Sequence, residues 1–112
     1  MMEKETRDKI EQLQNIENNL QHLLMQKQSM QGQLIETEQA LKELDKKPKQ
    51  VFRMIGSVVI ESSLSDLRED LNSKKEMAEL KIKNIDKQEK KIKEQAKELQ
   101  EEVLKAMEKN GK

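Results

Sequence analysis

Two long segments with heptad-patterned apolar residues flank one short β-prone stretch, and this layout constrains the fold more than any other feature. The first segment runs from about residue 10 to residue 44, and the second from about residue 64 to residue 107. Between them, residues 51–60 are rich in β-branched side chains and contain a Gly56-Ser57 pair. The predicted fold class is mainly α with a small β-hairpin: a long antiparallel two-helix coiled coil whose helices are joined by the hairpin.

Composition supports long solvated helices rather than a compact core. Charged residues make up 39% of the 112 residues and hydrophobic residues only 33%, with Phe52 as the one aromatic residue. Disorder is the competing interpretation of so polar a chain. It is set aside because the apolar residues recur periodically, as on helices with one apolar stripe. A chain of this length forms at most one domain.

Charge and residue usage exclude several classes of function. The 22 basic and 22 acidic residues leave no net charge, so no global field would recruit nucleic acid or an anionic membrane. Cysteine is absent, which excludes disulfides and thiol chemistry. The first residues lack the apolar stretch of a signal peptide, and no apolar run approaches the roughly 20 residues of a membrane span. A cytoplasmic protein is the expectation.

The first segment follows an unbroken heptad pattern with Leu13 at position a. Lys27 and Thr37 are polar residues at seam positions, where a polar side chain weakens the seam but helps to fix its register. The helix is expected to span residues 1–47, because Pro48 disfavours helical geometry at the residue before it. The predicted seam positions are Leu13, Ile16, Leu20, Leu23, Lys27, Met30, Leu34, Thr37, Leu41 and Leu44.

The second helix is expected over residues 64–109, after a linker and hairpin at 48–63 and before a tail at 110–112. Ser63 and Asp66 form a predicted capping box at its start. Lys75 and Glu89 occupy seam positions, so the seam is thin and the helices should be held together mainly near the hairpin. The apolar seam positions are Leu64, Leu67, Leu71, Ala78, Ile82, Ile85, Ile92, Ala96, Leu99, Val103 and Ala106. Four apolar residues lie off this stripe: Met77, Leu80, Leu104 and Met107.

The predicted hairpin indicates that several chains assemble. A glycine-first turn at Gly56-Ser57 suits type II′ and pairs Ile55 with Val58. Both faces are then apolar, and an isolated two-stranded hairpin is marginal in water with unpaired edges. We therefore expect hairpins of several chains to join in a shared sheet or barrel; the alternative is that the hairpin packs on the roots of its own helices. The predicted assembly residues are Val51, Phe52, Met54, Ile55, Val58, Val59 and Ile60.

This order of elements resembles a β-class prefoldin subunit, which has one hairpin between its helices where the α class has two. Residues 51–60 resemble the β-class hairpin, in which an aromatic and a basic residue precede an apolar-glycine turn. Residues 25–29 and 87–90 resemble polar stretches of the two arms, and the resemblance covers nearly the whole chain. The short single-hairpin chain looks more archaeal than eukaryotic. Two departures are a more basic loop around Pro48 and a very short tail.

The resemblance implies an ATP-independent chaperone, or holdase, that has no cofactor and is not an enzyme. Two α-class and four β-class subunits would form a hexamer, bind non-native polypeptides with the coiled-coil tips, and deliver them to a group II chaperonin. Four of the tip residues also have a simpler role as seam positions, whereas Leu104 and Met107 lie off the stripe. The client-binding residues implied by position are Ile10, Leu13, Ile16, Leu99, Val103, Leu104 and Met107.

Other chemistry is weakly supported by the sequence. His22 is the only histidine and falls on a solvated heptad position, and the three glycines form no phosphate loop. No second histidine and no cysteine can complete a zinc site. One alternative from a different class of function remains open. The chain could be a structural scaffold or tether that presents its helices to one folded partner.

Overall fold

The computed structural model describes residues 3–110, which form two long helices joined by a two-stranded antiparallel sheet. In chain order the elements are α1 (Lys4–Asp45), β1 (Val51–Ile55), β2 (Val58–Ser62) and α2 (Leu64–Asn110). The predicted fold class is confirmed. Both helices run through two compact units, one formed by Met1–Lys27 with Asn84–Lys112 as far as these are described, the other by Gln28–Lys83.

The seam predicted for α1 is confirmed by burial. All ten heptad positions are buried or half-buried, while the positions between them are mostly exposed. Leu23 and Leu44 are among the most buried apolar side chains, as expected where a knob inserts between residues of a facing helix. The polar seam residue Thr37 is buried, and its hydroxyl donates a hydrogen bond of 2.7 Å to the Gln33 carbonyl, so its burial leaves no unsatisfied donor.

Helix α2 begins at a side-chain cap. The Ser63 hydroxyl accepts a hydrogen bond of 3.0 Å from the Asp66 amide, which is the forward half of the predicted capping box. Ala78, Ile85 and Val103 are the buried apolar residues of this helix, and the remaining predicted seam positions are half-buried. The α2 contribution to the seam is therefore narrow, because two of its three buried residues are an alanine and a valine.

The end of α1 differs from expectation by two residues, because the helix stops at Asp45 rather than near Lys47. Lys47 lies just before Pro48 with a φ of 54°, a left-handed conformation that is uncommon outside glycine. The Arg68 guanidinium of α2 donates to the Leu44 carbonyl and to the Asp45 carboxylate, both at 3.3 Å. A cation at a helix C-terminus complements the helix dipole and satisfies a terminal carbonyl.

The hairpin has the predicted register. Ile55 pairs with Val58 next to the turn, and Val51 pairs with Ser62 at the open end. Gly56 has a φ of 61°, and Ser57 is not among the described residues with positive φ. This combination fits the type II′ turn, because a type I′ turn would require positive φ at both residues.

Candidate functional site

The two faces of the hairpin differ in what covers them. Strand alternation places Arg53 and Ser62 on one face, where both are half-buried, and the Arg53 guanidinium pairs with the Asp70 carboxylate of α2. The other face carries Phe52 and Met54, which are exposed. The hairpin thus contacts its own helix through Arg53 at one face, and both faces keep exposed apolar side chains.

Six of the seven predicted assembly residues are exposed large apolar side chains. Their exposed fractions range from 48% for Ile60 to 73% for Met54, and the seventh residue, Val51, is half-buried. Exposed apolar side chains on both faces of a two-stranded sheet are unusual for a chain that stays alone, since exposed apolar patches mark interaction sites. The exposed set is Phe52, Met54, Ile55, Val58, Val59 and Ile60.

The predicted tip residues separate into two groups. Four of them, Ile10, Leu13, Ile16 and Leu99, are half-buried, and Val103 is buried at 8% exposure. By contrast, 59% of Leu104 and 50% of Met107 are exposed. The first group contributes to the seam, and the second lies outside it.

Part of the first group lines a groove along the helix pair. Ile16 of α1 and Leu99 of α2 lie at its floor. The polar residues that flank them are Gln12, Asn15, Gln95, Glu98 and Glu102. An apolar floor between polar rims is the usual composition of a protein–protein contact surface.

Three exposed apolar residues of α1 were not singled out from the sequence. Leu24, Met25 and Ile35 lie at heptad positions outside the seam and are half or more exposed. The signal that identifies them is the heptad frame itself, which places Leu24 at e, Met25 at f and Ile35 at b, outside the a and d seam positions. On α2, Met77 and Leu80 are exposed in the same way.

Ion pairs link the helices within the unit that contains both termini. The Lys9 ammonium lies 3.2 Å from the Glu102 carboxylate, and Lys27 pairs with Asp86. Hydrogen bonding to these carboxylates raises the pKa of both lysines above the ordinary value. The partners advance along α1 as they recede along α2, so the pairs are specific for antiparallel helices in one register.

Glu89 is the second polar seam residue of this unit, and it forms an ion pair within α2. The Lys93 ammonium bonds the Glu89 carboxylate at 2.8 Å and holds the pKa of that carboxyl below its usual range, with a smaller contribution from the Lys27 charge. The charges of Lys27 and Lys93 thus both favour the ionised form of the Glu89 carboxyl.

Within residues 3–110, no group of three His, Cys, Asp or Glu side chains is placed to hold a metal ion, and His22 is exposed on α1. None of the described helices has a stretch long and apolar enough to cross a membrane. The fold and its surfaces define a class of protein: paired long helices joined by a β-hairpin that has exposed apolar side chains on both faces.

Comparisons with known proteins identify the family. The chain matches the family described as prefoldin subunit over residues 7–110. It is 31% identical over 96 residues to prefoldin subunit beta of Archaeoglobus fulgidus, covering 84% of this chain and 83% of that protein. It is 32% identical over 109 residues to prefoldin subunit beta of Methanococcoides burtonii, covering 96% and 93%. The crystal structure of the prefoldin beta subunit from Thermococcus strain KS-1 superposes with a TM-score of 0.85 and 27% identity, covering 95% of each chain.

The chain belongs to the prefoldin subunit family. Its relatives are beta subunits, mostly archaeal, so the resemblance to the β class is confirmed. Membership of this family implies assembly with other prefoldin subunits.

Proposed function

We propose that the chain is a subunit of an ATP-independent holdase that captures non-native polypeptides on its coiled-coil arms. The exposed apolar residues near the ends of the helices, on a member of the prefoldin family, are the observation that carries this proposal. The proposed partners are an α-class subunit in a hexamer of two α and four β chains, and a group II chaperonin that receives the client.

Within this proposal the hairpin provides assembly through a barrel of strands from several chains. Its exposed apolar residues would be buried there, and both strand edges would gain hydrogen-bond partners. Charge at such a surface is costly, because a buried unpaired charge is strongly unfavourable. Met54→Glu with Ile60→Lys should retain the helix content and yield small species by light scattering.

The same two chemical changes can be made outside the hairpin. Met25→Glu with Ile35→Lys alters residues that are also exposed, so this variant should still assemble fully. If the hairpin variant assembles as well as this control, the strands do not provide the subunit contacts.

The proposed client-binding surface, which we call the grip, consists of Leu104 and Met107. Both residues are exposed and lie off the seam. Ile10, Leu13, Ile16, Leu99 and Val103 are proposed to contribute where the seam opens. An unbranched methionine suits contact with many different clients. Each large apolar side chain that a client covers fully is worth about 1–3 kcal/mol, and less at a mobile surface. Several arms act on one client, so small losses per arm multiply through avidity.

A matched pair of variants tests the grip. Leu104→Ser with Met107→Ser removes a leucine and a methionine three residues apart, and Met77→Ser with Leu80→Ser removes the same pair elsewhere on α2 at similar exposure. Suppression of aggregation of several unrelated unfolded proteins, without ATP, is compared at equal complex mass. The proposal expects a large loss for the first variant and little for the second.

Equal suppression by both variants would place the grip elsewhere on the arms. If the unmodified complex suppresses aggregation of none of the unfolded proteins, the holdase proposal is wrong. A structural tether with one folded partner would then be the better explanation.

A further inference from the structure

Two lysines of α2 lie in line with Leu104 of the grip. Lys90, Lys97 and Leu104 follow one another at intervals of seven residues, which is close to two helical turns, so their side chains project from the same face of the helix. All three are exposed, and all three belong to the unit that contains both termini. We call Lys90 and Lys97 the lysine stripe.

The lysine stripe has no carboxylate partner within the described residues 3–110. Lys9, Lys27 and Lys93 of the same unit are each paired with a carboxylate. Neither lysine of the stripe forms such a pair. Glu94 lies between the two lysines in sequence and is also exposed, but it pairs with neither of them. The ammonium groups of the stripe are therefore available to an external partner.

The surroundings of the stripe are basic, although the whole chain is neutral. Residues 87–97 contain five lysines and two glutamates. The antiparallel ion pairs of this unit place residues 13–26 of α1 opposite this stretch. Those residues contain one acidic residue, Glu17, and no lysine or arginine. Since α1 does not cancel the positive charge, the partner that complements this surface is acidic.

The charge changes sign between the stripe and the grip. Glu101 lies between Lys97 and Leu104 in sequence, is exposed, and forms no ion pair within the described residues. A carboxylate placed directly beside Leu104 would be repelled by Glu101, whereas a carboxylate placed over the stripe would be attracted. Like charges that face each other disfavour the wrong partner. This side of α2 therefore favours a ligand whose apolar and acidic groups are separated.

A polypeptide fits this surface better than a nucleic acid does. Arginine is the preferred residue for binding phosphate in two-pronged fashion, and α2 has no arginine after Arg68. Single-stranded nucleic acids also stack their bases on aromatic side chains, and the one aromatic residue of this chain, Phe52, lies in the hairpin. A polypeptide can offer both carboxylates for the lysine stripe and an apolar side chain for Leu104.

We propose that the lysine stripe is a charge-selective extension of the grip, which binds non-native polypeptide segments that carry acidic residues at a set distance from an apolar residue. This inference rests on the proposed holdase function and names the class of client segment that it prefers. By helix rise, Lys97 lies about 10 Å and Lys90 about 21 Å from Leu104 along α2. An extended segment rises about 3.3 Å per residue, so its acidic residues would lie about three and six positions from the apolar one.

The preference for acidic segments should be small on one arm and larger on the complex. An ion pair between exposed groups is individually weak, and salt screens it. Several arms that hold one client at the same time multiply a small preference per arm. We therefore expect the complex to bind an acidic client about five-fold more tightly than a neutral client with the same apolar residues.

Two versions of a permanently unfolded test polypeptide measure this preference. Both versions contain the same leucines. One version has glutamates, and the other has glutamines, at the third and sixth positions on one side of each leucine. Binding of each version to the assembled complex is followed by fluorescence anisotropy. The unmodified complex should bind the glutamate version about five-fold more tightly, and high salt should remove the difference.

Three variants assign the preference to the stripe. Lys90→Gln/Lys97→Gln should bind the glutamate version only as tightly as the glutamine version, without a change for the glutamine version. Lys74→Gln/Lys81→Gln is the matched control and should keep the preference, because these exposed lysines of α2 are also seven residues apart but belong to the other unit. Lys90→Glu/Lys97→Glu should reverse the preference in favour of a test polypeptide with lysines at the same positions. Circular dichroism and complex mass check that each variant folds and assembles.

Three results would overturn the charge preference and leave the holdase proposal standing. The first is equal binding of both versions by the unmodified complex, and the second is loss of the preference in the matched control as well. The third is a single-stranded oligonucleotide that binds more tightly than the glutamate version and loses this affinity in Lys90→Gln/Lys97→Gln. If the complex binds neither version and suppresses no aggregation, the holdase proposal itself fails and the charge preference fails with it.

Discussion

Leu23 and Leu24 are neighbours in α1 with opposite environments, which makes them a direct test of the seam. Leu23 is 9% exposed and Leu24 is 50% exposed. Leu→Ala at buried positions costs about 2–5 kcal/mol. We expect Leu23→Ala to cost about 2–3 kcal/mol, at the low end, because a seam between two helices is open to solvent at its sides and can close around a small gap.

Leu24→Ala should change the free energy of unfolding by no more than about 0.5 kcal/mol, since surface substitutions away from special features usually stay within that range. Alanine is also the better helix former, which offsets part of any lost contact. In a small domain each kcal/mol shifts the melting midpoint by about 4–8 °C.

Urea denaturation followed by circular dichroism measures both variants against the unmodified chain. Protein concentration is held constant, because assembly stabilises the folded state by mass action. The two variants should differ by about 2 kcal/mol. Equal destabilisation by both would refute the seam as derived from burial. If the cost of Leu24→Ala grew with protein concentration, Leu24 would instead be buried between subunits.

Three further substitutions and one pH series test local features of the fold: a residue with positive φ, a helix cap and two charged seam residues. Lys47→Gly should stabilise the chain by about 0.5–1 kcal/mol in urea denaturation, since glycine adopts positive φ without the steric cost that lysine carries; destabilisation would contradict this. Ser63→Ala should cost about 1 kcal/mol by the same measurement through loss of the α2 cap, and no loss would mean that the cap is dispensable. Glu89 has a lowered pKa, so its stabilising effect is present above its ordinary pKa of about 4.3 and is lost as pH falls through the folded value. Lys27 has a raised pKa, so its effect is present below about 10.4 and is lost as pH rises through the folded value. Urea midpoints should therefore fall at both extremes, and Glu89→Gln should flatten mainly the acid side, since Glu89 is the smallest of the causes that raise the Lys27 pKa; an unchanged acid side would contradict the assignment.

Local geometry explains why so much of the fold could be predicted from the sequence. A left-handed coiled coil requires apolar residues at alternating steps of three and four, and that pattern alone identified ten seam positions of α1, although it missed the buried Thr6 near the start of the helix. The strand register followed from the two-residue turn, because loop length fixes which residues face each other. Both inferences depend on neighbours in sequence.

Contacts between distant residues could not be predicted in this way. Arg68 of α2 donates to the Leu44 carbonyl at the end of α1, and the hairpin is tied to α2 by the pair of Arg53 with Asp70. A long flexible side chain can reach many partners, so heptad position does not select one. Likewise, Lys27 was identified as a polar seam residue, but its partner Asp86 required the structure.

The same limit on prediction from sequence applies to the predicted tip residues. Periodicity separates Leu104, which is exposed, from Val103, which is buried, because adjacent residues point in different directions on a helix. It does not determine how tightly the seam closes around Ile16 and Leu99, since closure depends on the volumes of facing side chains. The half-burial of Ile16 and Leu99 beside a groove therefore depends on how α1 and α2 pack against each other.

That half-burial links stability to the proposed activity. Ile16 and Leu99 belong to the seam and also line the groove, so they stabilise the paired helices and still present apolar surface. Larger seam residues would increase stability but would cover the surface that a client needs. Leu104 and Met107 are free of this conflict because they lie outside the seam. Their surface on one chain is small, however, and a small contact binds weakly unless several act together. Under the proposed function, assembly through the hairpin is therefore a condition for the grip, and substitutions in residues 51–60 should reduce client binding even though these residues need not contact the client.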